Sequence, residues 1–339
     1  MNRIAVADRP TRARLFEQSS LAIGLPAPIV EKDFWVCWLL KQLFSRPDFA
    51  GWLVFKGGTS LSKCFKLIDR FSEDVDLAVD FQRLGYTGQT DPRRPDLSYK
   101  KREQLLRTMT CACQEYVAGN FLDSLRQCLT NVLGPAGWEV QVSSRDANTV
   151  EFTYPAALDN RLAYVRQQVV LELGTHAEPI PNGPFLVRPF AAEPFPAAFA
   201  EPEFPVQTVF ARRTFWEKAT ILHAEHYRPL GKPLLPRYSR HYADVAVLAA
   251  SGMKDEALAD MNLLENVIVH KDRFYHCGWA RYLEARPGTF RLLPRKERIP
   301  DLQRDYRDMQ VMFFQTPPPF HEVLARLAEL EREINSLRA

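Results

Sequence analysis

Residues 56–77 read KGGTSLSKCFKLIDRFSEDVDL, which puts a double glycine, two hydroxyls, a lysine and two aspartates two apart into one short stretch. The alternation in EDVDLAV predicts a strand, on which Asp74 and Asp76 share a face and Val75 and Leu77 take the other. Two strand rises hold the carboxylates about 6–7 Å apart, where at an effective dielectric near 20 they repel by roughly 2–3 kcal/mol. A hard divalent cation would relieve that repulsion. Mg²⁺ suits best, because it is held by one or two carboxylates together with substrate phosphates. A solvated edge strand carrying two acids is the alternative that the pattern leaves open.

Gly57 and Gly58 let backbone approach a ligand closely. TSLSKCFKLI predicts a helix of about three turns, capped by Thr59 or Ser60, whose free N–H groups would face a phosphate. Phosphate at that helix start, beside a metal on Asp74 and Asp76, is what phosphoryl or nucleotidyl transfer needs. GxxxxGK[ST] does not occur, which disfavours an ordinary P-loop nucleotidase. Taken singly, each glycine and hydroxyl also fits a plain strand-to-helix turn. Glu172, a lone acid in the apolar VVLELG, is expected either as a third carboxylate or as the partner of a nearby arginine. Ser72 reads as a capping or a regulatory hydroxyl. Glu31, Lys32 and Asp33 are a charged triplet in an apolar helix and are expected to brace the site from behind.

The first ~50 residues read as helices, one capped by Thr11 and the next, IVEKDFWVCWLLKQLF, with Pro28 in its first turn and apolar residues nearly all round. GWLVFKGG predicts a buried strand, 81–98 a loop, and 98–129 a long helical stretch with a break near Gly119. WEVQVSS, TVEFTYP and RQQVVLELG read as three further strands. Eight prolines between Pro179 and Pro205 exclude regular helix there and predict a wrapping loop or domain boundary. Helical patterns follow, closing on FHEVLARLAELEREINSLR with one apolar stripe. The expected architecture is an α/β (α+β) domain over 1–210 and a helical domain over 211–339.

At 339 residues and 46 % hydrophobic the chain can build two real cores, and its net charge of +3 gives only a weak overall field. The six cysteines contain no CxxC and suit a reducing cytosol; HxxH at His223 and His226 lacks the companions of a zinc site. No apolar run reaches the ~18 residues of a membrane span, and the N-terminus lacks a signal core, so a cytoplasmic location is expected.

Gly57, Gly58, Thr59, Leu61, Lys63 and the run Arg70 to Asp76 resemble GG[TS]-x-L-x-K…RFS-x-D-x-D, the hallmark of the AbiEii/AbiGii (MenT-like) nucleotidyltransferase toxins of the DNA-polymerase-β-like superfamily. VEKDFWV, RTFWEKATILHAE, SRHYADVAVL, VIVHK and PPPFHEVL extend the likeness along most of the chain. The resemblance implies a polymerase-β-like mixed sheet with flanking helices. It implies Mg²⁺ or Mn²⁺ on Asp74 and Asp76, and an NTP such as ATP bound by Gly57, Gly58, Thr59, Ser60 and Lys63. Lys218 and Asp244 would complete the cleft from the helical domain. It further implies NMP transfer to RNA, a tRNA 3′ end, and a cognate antitoxin in a toxin–antitoxin or phage-defence system. On the residues alone, Lys218 makes sense as a point charge facing a triphosphate, and Asp244 sits among apolar residues where an unpaired acid is costly. Surface pairs Lys218–Glu217 and Arg240–Asp244 are the plainer alternative. Basic clusters at Arg93, Arg94, Lys100, Lys101, Arg102 and at Arg291, Arg295, Lys296, Arg298 would suit RNA if they lined the cleft. A protein or small-molecule acceptor, or a catalytically silent binding module, are the competing readings.

Overall fold

The computed structural model describes residues 1–72, 74–159 and 165–337. They form two compact units. Met1–Cys64, Phe71–Pro92 and Asp96–Val209 make the first; Phe65–Arg70, Arg93–Pro95 and Phe210–Ala339 make the second. No helix among the described residues is long and apolar enough to cross a membrane.

The first unit is built on a seven-stranded mixed sheet. Its strands are β1 (Leu53–Lys56), β2 (Asp74–Val79), β3 (Glu139–Val142), β4 (Thr149–Thr153), β5 (Gln168–Gly174), β6 (Asn182–Val187) and β7 (Phe204–Val209), in the order β3-β4-β5-β2-β1-β7-β6. The fold is mixed α/β, as the sequence suggests. β2 is the middle strand, antiparallel to β1 and parallel to β5, so Asp74 and Asp76 do not lie on a solvated edge. Leu53, Phe55, Val75, Leu77, Val79, Leu171 and Leu173 line the opposite, fully buried face.

The helix Ala27–Phe44 belongs to that core. Trp35 stacks on Tyr154, and Trp38 on Phe152. Truncating one such tryptophan typically costs about 3–5 kcal/mol. The helix Arg9–Ile23 is capped by Asp8, which accepts the Thr11 N–H at 2.7 Å, so Thr11 sits inside the first turn and is not its cap. The stretch from Tyr99 to Leu133 does not break at Gly119: a π-helical turn, Val117–Phe121, joins its two α segments and buries Val117 and Phe121. The proline-rich segment is more than a loop. It contains β6, which pairs antiparallel with β7 at the sheet's edge, where Pro184 costs no ladder hydrogen bond to a further strand.

The second unit is helical: Ala211–Tyr227, Ser239–Ala249, Met253–Leu258, Met261–Phe274, Ile299–Asp308 and Phe320–Ser336 are its α-helices among the described residues. Phe320, Val323, Leu327, Leu330 and Ile334 form the buried stripe of the last. Residues 65–70 are held in this unit by an Arg70–Phe313 bridge and by the Phe314 N–H on Asp69 O at 3.2 Å.

Candidate active site

Sheet register sets the centre of the site. On one face of the sheet, Lys56 of β1 lies opposite Asp76 of β2, and Asp76 lies opposite Glu172 of β5. Asp74 shares this face one pleat away, opposite Val170. Asp74 and Asp76 are half-buried and Glu172 is exposed. The Lys56 ammonium stands 4.0 Å from Asp76 Oδ1. Lys56 was not singled out from sequence. The signal was present, since alternation sends Phe55 to the core and Lys56 to the face of the acids.

Gly57 follows directly, with φ +80°. A methyl group there would lie 2.0 Å from Asp76 Oδ2 and 2.7 Å from its Cγ, so only glycine leaves room for this carboxylate. The helix it opens is Gly57–Lys63, shorter than the expected three turns. The chain turns away soon after, with Lys66 in the left-handed region at φ +51°. Thr59 and Ser60 lie within that helix and do not cap it. Thr59 Oγ1 donates to Asp74 O at 2.5 Å, tying the helix to the start of β2, and Ser60 Oγ donates to Gly57 O at 2.9 Å. Both side chains are buried, which leaves the Gly57–Gly58 backbone as the accessible part of the expected phosphate loop. Ser72 precedes a strand, so it is no helix cap; its carbonyl lies 3.4 Å from Thr59 Oγ1.

Lys63 departs furthest from expectation. Its ammonium points into the core, donates to Asp33 Oδ1 at 2.5 Å and sits 3.7 Å from the centroid of Phe190. The Phe190 N–H donates to the other Asp33 oxygen at 2.6 Å. Burial pushes the Asp33 carboxyl up, partly offset by Lys63. Burial alone would depress Lys63, but the charge and hydrogen bond of Asp33, with smaller help from Cys37 and Glu193, together hold the ammonium above its ordinary value. The short contact fixes the brief helix against Ala27–Phe44. Neighbouring members of the charged triplet brace other elements: Glu31 accepts the N–H groups of Ala157 and Leu158, and Lys32 lies over the Phe71 ring. Lys63 is a brace behind the glycines, with its charge already spent.

In the second unit Lys218 and Asp244 meet. Lys218 Nζ donates to Asp244 Oδ2 at 2.9 Å, and Arg70 grips the same carboxylate through Nε and Nη2, both at 2.8 Å. Neither surface alternative holds. Glu217 pairs with Arg213, and Arg70, from the RFS motif, takes the place imagined for Arg240. Asp244 is buried, which alone would raise its pKa; Arg70 and Lys218 more than offset this and hold it well below the usual carboxylate range. Two cations on one anion leave the cluster net positive. Asp244 thus acts as the seat of Arg70 and Lys218.

The second basic cluster is largely engaged in structure. Arg298 is buried on the carbonyls of Pro229, Leu230 and Lys232, Arg295 donates to His226 O, and Arg291 faces Glu331. In the first, Lys100 and Lys101 are exposed at a helix start, while Arg102 donates to Pro92 O.

Among the described residues no three His, Cys, Asp or Glu side chains group as a protein-only metal cage, so Glu172 stands beside the aspartates without closing one. Two carboxylates on one strand face, with glycine backbone against one of them, fit a Mg²⁺-class ion that takes its other ligands from phosphate and water. Acids, a lysine and open glycine backbone together suit transfer at a phosphorus.

The chain is similar over 98 % of its length to MenT4, a nucleotidyltransferase toxin from Mycobacterium tuberculosis H37Rv, of which 91 % is covered at 16 % identity and a TM-score of 0.46. No curated protein matches it. The family model described as nucleotidyl transferase AbiEii toxin, type IV TA system, matches residues 38–326, a span that holds the Gly57–Asp76 row and the Arg70–Lys218–Asp244 cluster alike. The chain belongs to the AbiEii family of nucleotidyltransferase toxins of type IV toxin–antitoxin systems.

Proposed function

We propose that this nucleotidyltransferase moves a nucleoside monophosphate from an NTP to the 3′ end of an RNA, a tRNA in the first instance, and is held in check by a cognate antitoxin. The observation that carries the reading is the close fit of Gly57 against Asp76, in a row with Asp74 on the central strand. Asp74 and Asp76 would hold Mg²⁺, or Mn²⁺ in its place, which when bound supplies charge neutralisation at the phosphates. The Gly57–Gly58 backbone is the surface against which the triphosphate lies. Lys218, held with Arg70 on Asp244, is our candidate for a cation that neutralises charge on the nucleotide.

The acceptor hydroxyl oxygen forms a bond to Pα, the bond from Pα to the bridging oxygen breaks, and pyrophosphate leaves. The hydroxyl proton passes to a carboxylate, for which Glu172, exposed beside Asp76, is our candidate. Exposed Lys100 and Lys101 are compatible with an RNA backbone.

The test mixes the full chain with Mg²⁺, each α-labelled NTP, and total RNA, total protein or a panel of antibiotics. We expect label in RNA with one preferred NTP, and none with Asp74→Asn or Asp76→Asn. Label in protein or drug with RNA blank would refute the RNA acceptor; full activity in both asparagine variants would refute the metal assignment.

A further inference from the structure

Among the described residues, Lys56 is the cation that lies in register with the row of acids. It ends β1 directly before Gly57, so its backbone is fixed by pairing with β2 on one side and by the turn on the other. Its ammonium is 4.0 Å from Asp76 Oδ1, with the side chains of Lys56 and Asp76 24 % and 28 % exposed. On the other side of Asp76 lies Glu172. Across the sheet the order is cation, anion, anion. The same Asp76 carboxylate lies against Gly57, so the acid that Lys56 faces also adjoins the backbone proposed to receive the triphosphate.

We propose that Lys56 is a mobile counter-charge that couples metal and nucleotide binding at the site: it neutralises Asp76 while no nucleotide is present and moves to the triphosphate when NTP arrives. The inference rests on the metal assignment made above. Lysine suits this role because its ammonium is a compact charge on a flexible four-carbon stem. Near Asp76 it opposes a divalent cation; on the phosphates it vacates the carboxylate. A cation that competes with metal in one state and assists nucleotide in the other makes the two bind with positive coupling. By reciprocity each then tightens the other by the same factor.

The consequence has an unusual sign. Removing the charge should strengthen metal binding to the free protein while weakening nucleotide binding. A lysine with a merely structural role, or one that orients Asp76 for the metal, would weaken both or change neither. Mn²⁺ is the probe, titrated onto the full chain by electron paramagnetic resonance with and without a non-hydrolysable NTP analogue. For Lys56→Gln we expect Mn²⁺ alone to bind about three- to tenfold tighter, the analogue to bind about tenfold weaker, and their mutual enhancement to shrink towards one. Lys56→Arg keeps the charge and should keep most of the enhancement, which guards against a fold defect in the glutamine variant. Folded Lys56→Gln protein with unchanged or weaker Mn²⁺ affinity would overturn the proposal, and would leave the metal assignment standing if Asp76→Asn still abolishes Mn²⁺ binding. Mn²⁺ affinity that is the same in wild-type and Asp76→Asn protein would overturn both.

Discussion

Gly57→Ala is the most informative single change, because the structure assigns it two separable costs. Alanine at φ +80° is strained by about 1–2 kcal/mol, a loss of stability worth roughly 2–8 °C in melting temperature for a domain of this size. The added methyl would also stand 2.0 Å from Asp76 Oδ2, so the carboxylate must retreat by more than about 1 Å to reach ordinary contact. A misplacement of about 1 Å at a reacting centre costs on the order of 100-fold in rate. The variant should therefore be folded by circular dichroism, slightly less stable, and about 100-fold slower in label transfer, with weakened Mn²⁺ binding. A folded Gly57→Ala protein with turnover within threefold of wild type would refute the reasoning.

Asp244→Asn leaves Arg70 and Lys218 without their shared anion and should destabilise the chain by about 3–5 kcal/mol in urea unfolding. Because the folded pKa of Asp244 is depressed, its contribution is complete above the unfolded carboxylate value and is lost as pH falls below it. The asparagine variant should accordingly show a flatter acid limb in its stability–pH curve, and an unchanged limb would count against the pairing. Lys218→Ala should lower turnover about 100-fold per folded molecule; a drop in melting temperature alone would make the residue structural. Lys63→Met strands the buried Asp33 and should cost about 3–5 kcal/mol, much of it recovered in Asp33→Asn/Lys63→Met, and strict additivity in that cycle would be the contrary result. Lys101→Glu should weaken RNA binding and flatten its log–log salt slope by about one, whereas Arg298→Glu should show its effect first in thermal melting. Equal effects on the slope would contradict the reading of the second cluster.

Much of the site's core could be read from local pattern. Period-two alternation placed Asp74 and Asp76 on one face of a strand, and the apolar run around Trp35 and Trp38 marked a buried helix. Contacts between distant segments could not be read this way. Asp33 lies thirty residues before Lys63, and that pairing turned a motif lysine from ligand binder to brace. Arg70 and Asp244 are 174 residues apart, so helix-surface spacing suggested the wrong arginine. Thr59 and Ser60 look like caps because hydroxyls before an apolar run commonly are. Here Gly57 opens the helix two residues earlier, which its positive φ permits. β6 was hidden by Pro184 and the prolines around it; Pro184 is tolerated at an edge and would not be in the middle of the sheet.

Residues 65–70 belong to the helical unit although the chain on either side of them belongs to the sheet unit. This threading sets a clock on synthesis. Arg70 leaves the ribosome long before the carboxylate that seats it, and 174 residues at about 5–20 residues per second amount to a wait of roughly 9–35 s. During that interval the glycine turn and the acids already exist in the nascent chain, but the second unit's cations have no seat. A ribosome halted between codons 76 and 244 thus yields Asp74 and Asp76 together with an Arg70 that lacks its carboxylate. On the function proposed above, such a chain would carry the metal-binding acids early and gain its seated cations late.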